Sequence, residues 1–487
     1  MRVIPARCLS PACAVEFDGG PVWMERMQVR FTLRDDVTWD DGEPLTAADS
    51  VFAFRVASDP ATVGARYLVS RTLRYTAQDD YHLEWVGVPG FLPSDYFLNF
   101  FAPLPRHQLA GRSPADLAQD EDLRRRPPTW GPFVVEDWIP ADRLILAPNP
   151  HYSPAPHLDK IVFRFATDGA DMVARLLAGE CDIATHDADL TPFLPLLMKA
   201  EQQGLLHLIS APGTGWEHLE FDIAPTDDRP PFFGDARVRQ AVAHCVDRET
   251  VVAEATYGRG LPLDSYLPPT HPFHAAGLPA WEYDPAAGRA LLEEAGWVDE
   301  DSDGVREAHR VSGVRTGTPF EVTLLLRADD EAALRSARAI KAQLADCGLR
   351  VNLDARPFWE LFAPAPDGPL FGRHFDLAET TWWLDVRPMC EHYLSPEVAA
   401  ESVTGYADPD FDAACLGVGQ TFPGTAEHAE YRRRAQELFA ADLPALPLFM
   451  RLRFAVVRPR VQGFTLDSTS PGDLWNAESL DVTVAGE

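Results

Sequence analysis

Between Phe320 and Leu353 the apolar residues change period twice, a pattern that few architectures accept. Phe320, Val322 and Leu324 alternate as a half-buried strand does, and Leu334, Ala337, Ile340, Leu344 and Cys347 then step by three and four along one helical face. Gly348 ends that helix, and Leu349, Val351 and Leu353 alternate again. Strands joined through a helix in this way run parallel, and parallel sheets need helices over their faces. An α/β fold follows. A second βαβ unit is read over Ile161, Phe163 and Phe165, a helix from Asp171 to Ala178 stopped by Gly179, and a strand from Cys181 to Ala184, with a right-handed crossover expected. Asp284, Pro285 and Gly296 occupy the N-cap, first-turn and C-terminal positions of a further helix. Asp235 caps another, with Val238, Val242 and Cys245 on one face, and Thr425 to Asp442 also reads as helix.

The chain has 487 residues, enough for roughly three domains by the usual length relation. With 46% apolar and 24% charged residues it has the composition of a globular protein. Its net charge of -31 argues against nucleic acid or anionic lipid as partners, because a polyanion is repelled by both. Basic charge is carried almost wholly by Arg, with Lys only at 160, 199 and 341. No run of apolar residues is long enough to span a membrane, and the first residues do not form an export signal.

Cys8 and Cys13 flank a Pro-containing turn and are expected to form a local disulfide in an oxidising compartment. Cys181, Cys245, Cys347, Cys390 and Cys415 lie mostly in apolar contexts and read as buried small hydrophobes. No metal-ligand spacing is present. His271 with His274, and Cys390 with His392, lack the arrangement of a zinc site, and nickel carriage is not expected from them. The run DEDSDG at 299–304 imitates the start of a calcium loop, but position twelve is Arg310 and not Glu, so it reads as a solvated turn. GxSxG, HExxH and Walker motifs are absent, and no enzyme is expected.

Several segments carry a resemblance in the same order along the chain. FTLRDDVTWDDGEPLTAADSVFAF at 31–54 reads as strand, turn at Asp41-Gly42 and helix capped by Thr46. WGPFVVEDW at 130–138, with NPHY at 149–152, reads as two strands around a turn; LLAGECDIA follows at 176–184. PPFFGDARVRQAVAHCVD occupies 230–247, and PALPLF at 444–449 precedes a last strand, Phe454 to Val457. Together these motifs resemble extracellular solute-binding protein family 5, the dipeptide-, oligopeptide- and nickel-binding proteins of ABC importers. Thr129-Trp130 and Asp222 depart from the family pattern, the latter standing where Asn is usual.

The resemblance implies a two-lobed periplasmic-binding-protein-like fold of class II, cluster C type, with an additional small domain. It places the small domain at 1–158, lobe one at 159–262 plus 455–487, and lobe two at 263–454. Family members have a longer preamble before the opening motif, so a truncated or processed start is expected. The implied role is an extracytoplasmic binding protein, often lipid-anchored, that captures a peptide-like ligand by hinge closure and delivers it to permease subunits of an ABC importer. A monomer without cofactor or metal is expected. The alternatives are an oligosaccharide-binding member of the family and a secreted glycoside hydrolase.

The candidate ligand residues follow from the strand reading of FDLAETTWW at 375–383. Asp385 lies past the carboxyl end of that strand and Arg327 at the end of the 320–326 strand, where open α/β sheets place ligands. If the strands are parallel, acid and guanidinium share one edge and suit a zwitterion. By the resemblance, Asp385 in Trp382-Trp383-Leu-Asp fixes a ligand amine. Trp382 and Trp383 alternate faces, so one is expected in the core and one toward ligand, with Trp216 a weaker candidate.

Overall fold

The computed structural model describes residues 2–3, 15–64, 66–186, 190–384, 390–396 and 402–483. They fall into two units, one built mainly from Ala12–Ile209 and Phe454–Glu487, the other from Ser210–Arg453. Cys8 and Cys13, whose pairing the sequence leads one to expect, lie outside the described residues, as does Asp385.

In the first unit, β1 (Gln28–Thr32), β2 (Thr72–Ala77) and β3 (His82–Gly87) form an antiparallel sheet with β3 in the centre. Its inner side chains, Val29, Tyr75 and Trp85, pack with Ala47 of α1 (Ala47–Ser58). The Asp49 carboxylate accepts from the Thr46 backbone N–H (2.8 Å) and hydroxyl (3.1 Å), holding the start of α1, and its other oxygen accepts from the Arg106 N–H (2.9 Å). A hairpin of β4 (Phe133–Ile139) and β5 (Arg143–Pro148) is extended antiparallel by β6 (Ile161–Arg164). α2 (Gly169–Ala178) then leads to the short β7 (Ile183–Ala184).

This corrects the βαβ reading of 161–184. β6 joins the hairpin sheet, while β7 pairs antiparallel with Val456 and Val457 in a different sheet, so no parallel pair exists there. Alternation identifies a strand but says nothing of its partner.

The second unit is built on β8 (His207–Phe221), whose last twelve residues belong to it, with α3 (Ala236–Cys245) and α4 (Pro285–Glu294). They are followed by β9 (Glu321–Arg327), α5 (Glu331–Asp346), β10 (Arg350–Arg356) and β11 (Leu377–Trp383). α6 (Pro409–Gln420), α7 (Ala426–Asp442) and the first nine residues of β12 (Ala445–Val457) complete it. The strand order is β12-β8-β11-β9-β10. β9 is parallel to β10 from Glu321↔Arg350 to Arg327↔Arg356, as the period changes require, and parallel to β11; β8 runs antiparallel to β11. Val322, Leu324 and Leu326 meet Ala337, Ile340 and Leu344 of α5 in the core with Val238 and Val242 of α3.

Four of the five cysteines read as simple hydrophobes are paired. Cys245 on α3 bonds Cys347 at the end of α5 (Cα–Cα 6.3 Å), and Cys390 bonds Cys415 on α6 (5.8 Å). Burial was read correctly, but pairing between residues 102 apart depends on how two helices pack. Cys181 is a free thiol.

Candidate functional site

Because β9 and β11 are parallel, Arg327 and Trp383 end on the same edge of the sheet. A cavity of about 340 Å³ opens there. Phe358, Phe362, Phe371, Trp382 and Trp383 give it an aromatic wall, and Arg327, Glu217, Glu379 and Arg451 supply ionisable groups. Arg327 lies over the Phe358 ring, 5.6 Å from its centre, and pairs with Asp329 at 3.3 Å. Trp383 is 64% exposed, whereas Trp382 is half-buried and donates its indole N–H to Glu220 Oε1 at 2.9 Å. Three of the expected ligand residues thus share one cavity. Trp216 does not: it is 2% exposed, stacked on His218 with ring centres 4.0 Å apart.

The floor of the cavity holds a charge cluster that the sequence reading missed. Arg451 Nε meets Glu217 Oε2 at 2.5 Å and its Nη1 meets Asp330 Oδ2 at 2.6 Å. The Thr381 hydroxyl donates to the same Glu217 oxygen at 2.7 Å. Burial works to lower the Arg451 pKa, but the charges of Glu217 and Asp330 outweigh it and raise it. Burial likewise acts to raise Asp330, which Arg451 holds below the usual carboxylate range. Glu379 is 1% exposed, and neither of its oxygens has a hydrogen-bond partner. Burial first, and the Glu217 charge second, push its pKa well above the ordinary value; the nearby Ser336 hydroxyl and Arg451 oppose this without overcoming it. Burial and the Glu217 charge thus both favour the neutral form of Glu379.

Across the sheet, His218 Nε2 meets Glu220 Oε1 at 2.8 Å and the Thr380 hydroxyl at 3.0 Å, and the Tyr393 hydroxyl donates to Glu220 at 3.2 Å. Trp382 stacks on His392 with ring centres 4.5 Å apart, which fixes its ring beside the cavity. The available signal was the segment Trp216 to Phe221, in which three ionisable residues stand in a strand otherwise apolar. Asp222, just beyond it, pairs with Arg229 at 3.0 Å; burial pushes its carboxyl up to about 7 against the pull of Arg229 and Arg373.

Two other acidic or sulfur groupings occur among the described residues, Asp299 with Asp301 and Glu307, and Cys390 with Glu391 and Cys415. Asp299 and Asp301 accept backbone N–H groups of Gly304 (3.2 Å) and Asp303 (3.0 Å), the bonding of a solvated turn. In the group Cys390, Glu391 and Cys415 both sulfurs are committed to a disulfide.

The carboxyl edge of two parallel strands on a mixed α/β scaffold thus carries a cavity with aromatic and ionic lining. The profile of the bacterial extracellular solute-binding proteins, family 5 Middle, matches residues 25–395, and the chain belongs to that family. It is 26% identical over 347 residues to the oligopeptide-binding protein AppA of Bacillus subtilis strain 168, covering 69% of this chain and 59% of that protein. It is 26% identical over 359 residues to the nickel-binding periplasmic protein of Escherichia coli K12, covering 72% of this chain and 64% of the relative. The match thus spans less than two thirds of the length of either. The fold is similar to the ABC transporter substrate-binding protein CtaP of Listeria monocytogenes, with a TM-score of 0.74 and 19% identity over 94% of this chain and 88% of that one.

Proposed function

We propose that the chain is an extracytoplasmic solute-binding protein that captures a peptide-like ligand and passes it unchanged to the permease of an ABC importer. The observation that carries this reading is the cavity at the β9/β11 edge, where aromatic rings stand beside ionic groups. A peptide offers both apolar side chains and charged termini to such a wall, whereas a metal chelate needs no aromatic lining of this extent. Family membership and the name of the oligopeptide-binding relative support the same reading. Action outside the cytoplasm, as a monomer, belongs to the proposal; no helix among the described residues is long and apolar enough to cross a membrane.

Arg327, Trp382 and Trp383 are the ligand contacts in this reading, and Asp385 anchors the ligand α-ammonium. The exposed Trp383 also favours a second ligand, an oligosaccharide stacked on its ring. Thermal-shift screening against tri- to nonapeptides and oligosaccharides, followed by mass spectrometry of recovered ligand, tests the proposal. A peptide at 100 times its Kd adds about 2.7 kcal/mol of apparent stability. Stabilisation by oligosaccharides alone would replace the peptide reading, and recovery of cleaved ligand would replace binding with hydrolysis. Asp385→Asn should weaken peptide binding at least about a hundredfold, since it strands a cation.

A further inference from the structure

We propose that the cavity at the β9/β11 edge is a subsite for a cationic side chain of the ligand, with Glu379 as the carboxyl that receives the cation and releases a proton to solvent. The proposal rests on the peptide reading and names the class of peptide.

Glu379 is the distinctive element. A buried carboxyl with both oxygens unpartnered costs stability, and native interiors hold few of them. The groups that face it come from every surrounding element. Glu217 reaches in from β8, Asp330 and Ser336 from the start and first half of α5, Arg451 from β12 and Arg327 from β9. Arg451 is already shared by Glu217 and Asp330, and Arg327 by Asp329 and Asp330, at 3.9 Å for the last. Neither arginine is within hydrogen-bond geometry of Glu379. If Glu379 ionised, four carboxylates, Glu217, Asp329, Asp330 and Glu379, would share the two guanidiniums of Arg327 and Arg451, an excess of negative charge that an entering cation would balance.

The chemistry of the wall selects among cations. Phe358, Phe362, Phe371 and Trp382 are suited to the alkyl stem of a lysine or arginine and to a cation over a ring face. An ammonium or guanidinium supplies enough N–H donors for both free oxygens; a ligand carboxylate would face Glu217 and Asp330, and an apolar side chain would leave Glu379 unsatisfied. The volume of about 340 Å³ admits one long side chain. The exchange balances: the Glu379 O–H breaks, its proton goes to solvent, and the ligand cation takes its place against the carboxylate.

Calorimetry with Ala-Ala-Lys-Ala-Ala and its norleucine counterpart, in two buffers of different ionisation enthalpy between pH 5 and 8, tests this. The lysine peptide should bind at least about tenfold more tightly, release close to one proton, and gain up to about tenfold in affinity per pH unit while Glu379 is protonated in the free protein. Glu379→Gln should abolish the proton release and the lysine preference, and its unliganded stability should exceed that of the wild type increasingly as pH rises above the ordinary glutamate value. Equal affinities for the two peptides, or release that persists in Glu379→Gln, would overturn the proposal. Proton release by the wild type alone decides the matter if the variant fails to fold. If neither peptide binds, n-butylammonium is the probe: binding with proton release upholds the subsite and counts against the peptide reading, and no binding overturns the subsite.

Discussion

Replacing Arg451 with Met removes the guanidinium that two buried carboxylates share, while keeping most of the side-chain volume. The two partners lose unequal amounts. Asp330 retains the backbone N–H groups of Ala332 (3.0 Å) and Ala333 (3.1 Å), because it is also the N-cap of α5. Among the described residues Glu217 retains the Thr381 hydroxyl, at 2.7 Å. A buried carboxylate deprived of its partner costs about 3–5 kcal/mol. It can escape by taking a proton, which for an ordinary glutamic acid costs about 4 kcal/mol at pH 7, and this sets a ceiling on the loss from Glu217. The ceiling moves with pH. In the variant the folded state holds the proton more tightly than the unfolded chain, so the deficit is small near pH 5, at about 1 kcal/mol, and grows by about 1.4 kcal/mol per pH unit above it. Urea unfolding of wild type and Arg451→Met at pH 5, 6, 7 and 8 measures both the size and the slope. A deficit under about 1 kcal/mol at pH 7, or one that does not change with pH, would refute the assignment of Arg451 as the counter-charge of Glu217.

Three further outcomes follow from local geometry. Asp222, raised to about 7, is protonated in the folded protein but not in the unfolded chain between the ordinary aspartate value of about 3.9 and 7, so its contribution is lost as pH rises through that window. Asp222→Asn should therefore gain stability relative to wild type between pH 5 and 8, by at most about 4 kcal/mol, and parallel pH profiles would contradict this. Removing the Cys245–Cys347 bridge by a double Ala substitution should cost about 2–4 kcal/mol, since it closes a long loop; identical urea midpoints for oxidised and reduced wild type would count against it. Asp49→Ala should lower the stability of the first unit by about 2–3 kcal/mol by freeing the N–H groups of Thr46 and Arg106, and an unchanged melting transition would refute that.

What the sequence determined by itself was local and periodic. The βαβ module at β9, α5 and β10, the N-caps at Asp235 and Asp284, and the helix at 426–442 all follow from side-chain spacing and from residues with restricted backbone preferences. The family was legible for the same reason, since its motifs are short strands, turns and helix starts. The expected shared edge joined Arg327 to Asp385; β9 and β11 are parallel, and Asp385 lies outside the described residues. The tertiary structure decided everything that depends on which element meets which. It sent β6 to the hairpin sheet, paired cysteines from α3 and α5, and put Trp216 in the core. It also assembled Glu217, Asp330, Glu379 and Arg451, which are spread over more than two hundred residues of sequence, into one cluster. Each of these residues looks like an ordinary surface charge among 74 acidic and 43 basic side chains, because a charge carries no periodic signal of its burial. Only strand pairing and helix packing bring such charges together, and it is the exclusion of water there, rather than the residue types, that pushes the Glu379 carboxyl up.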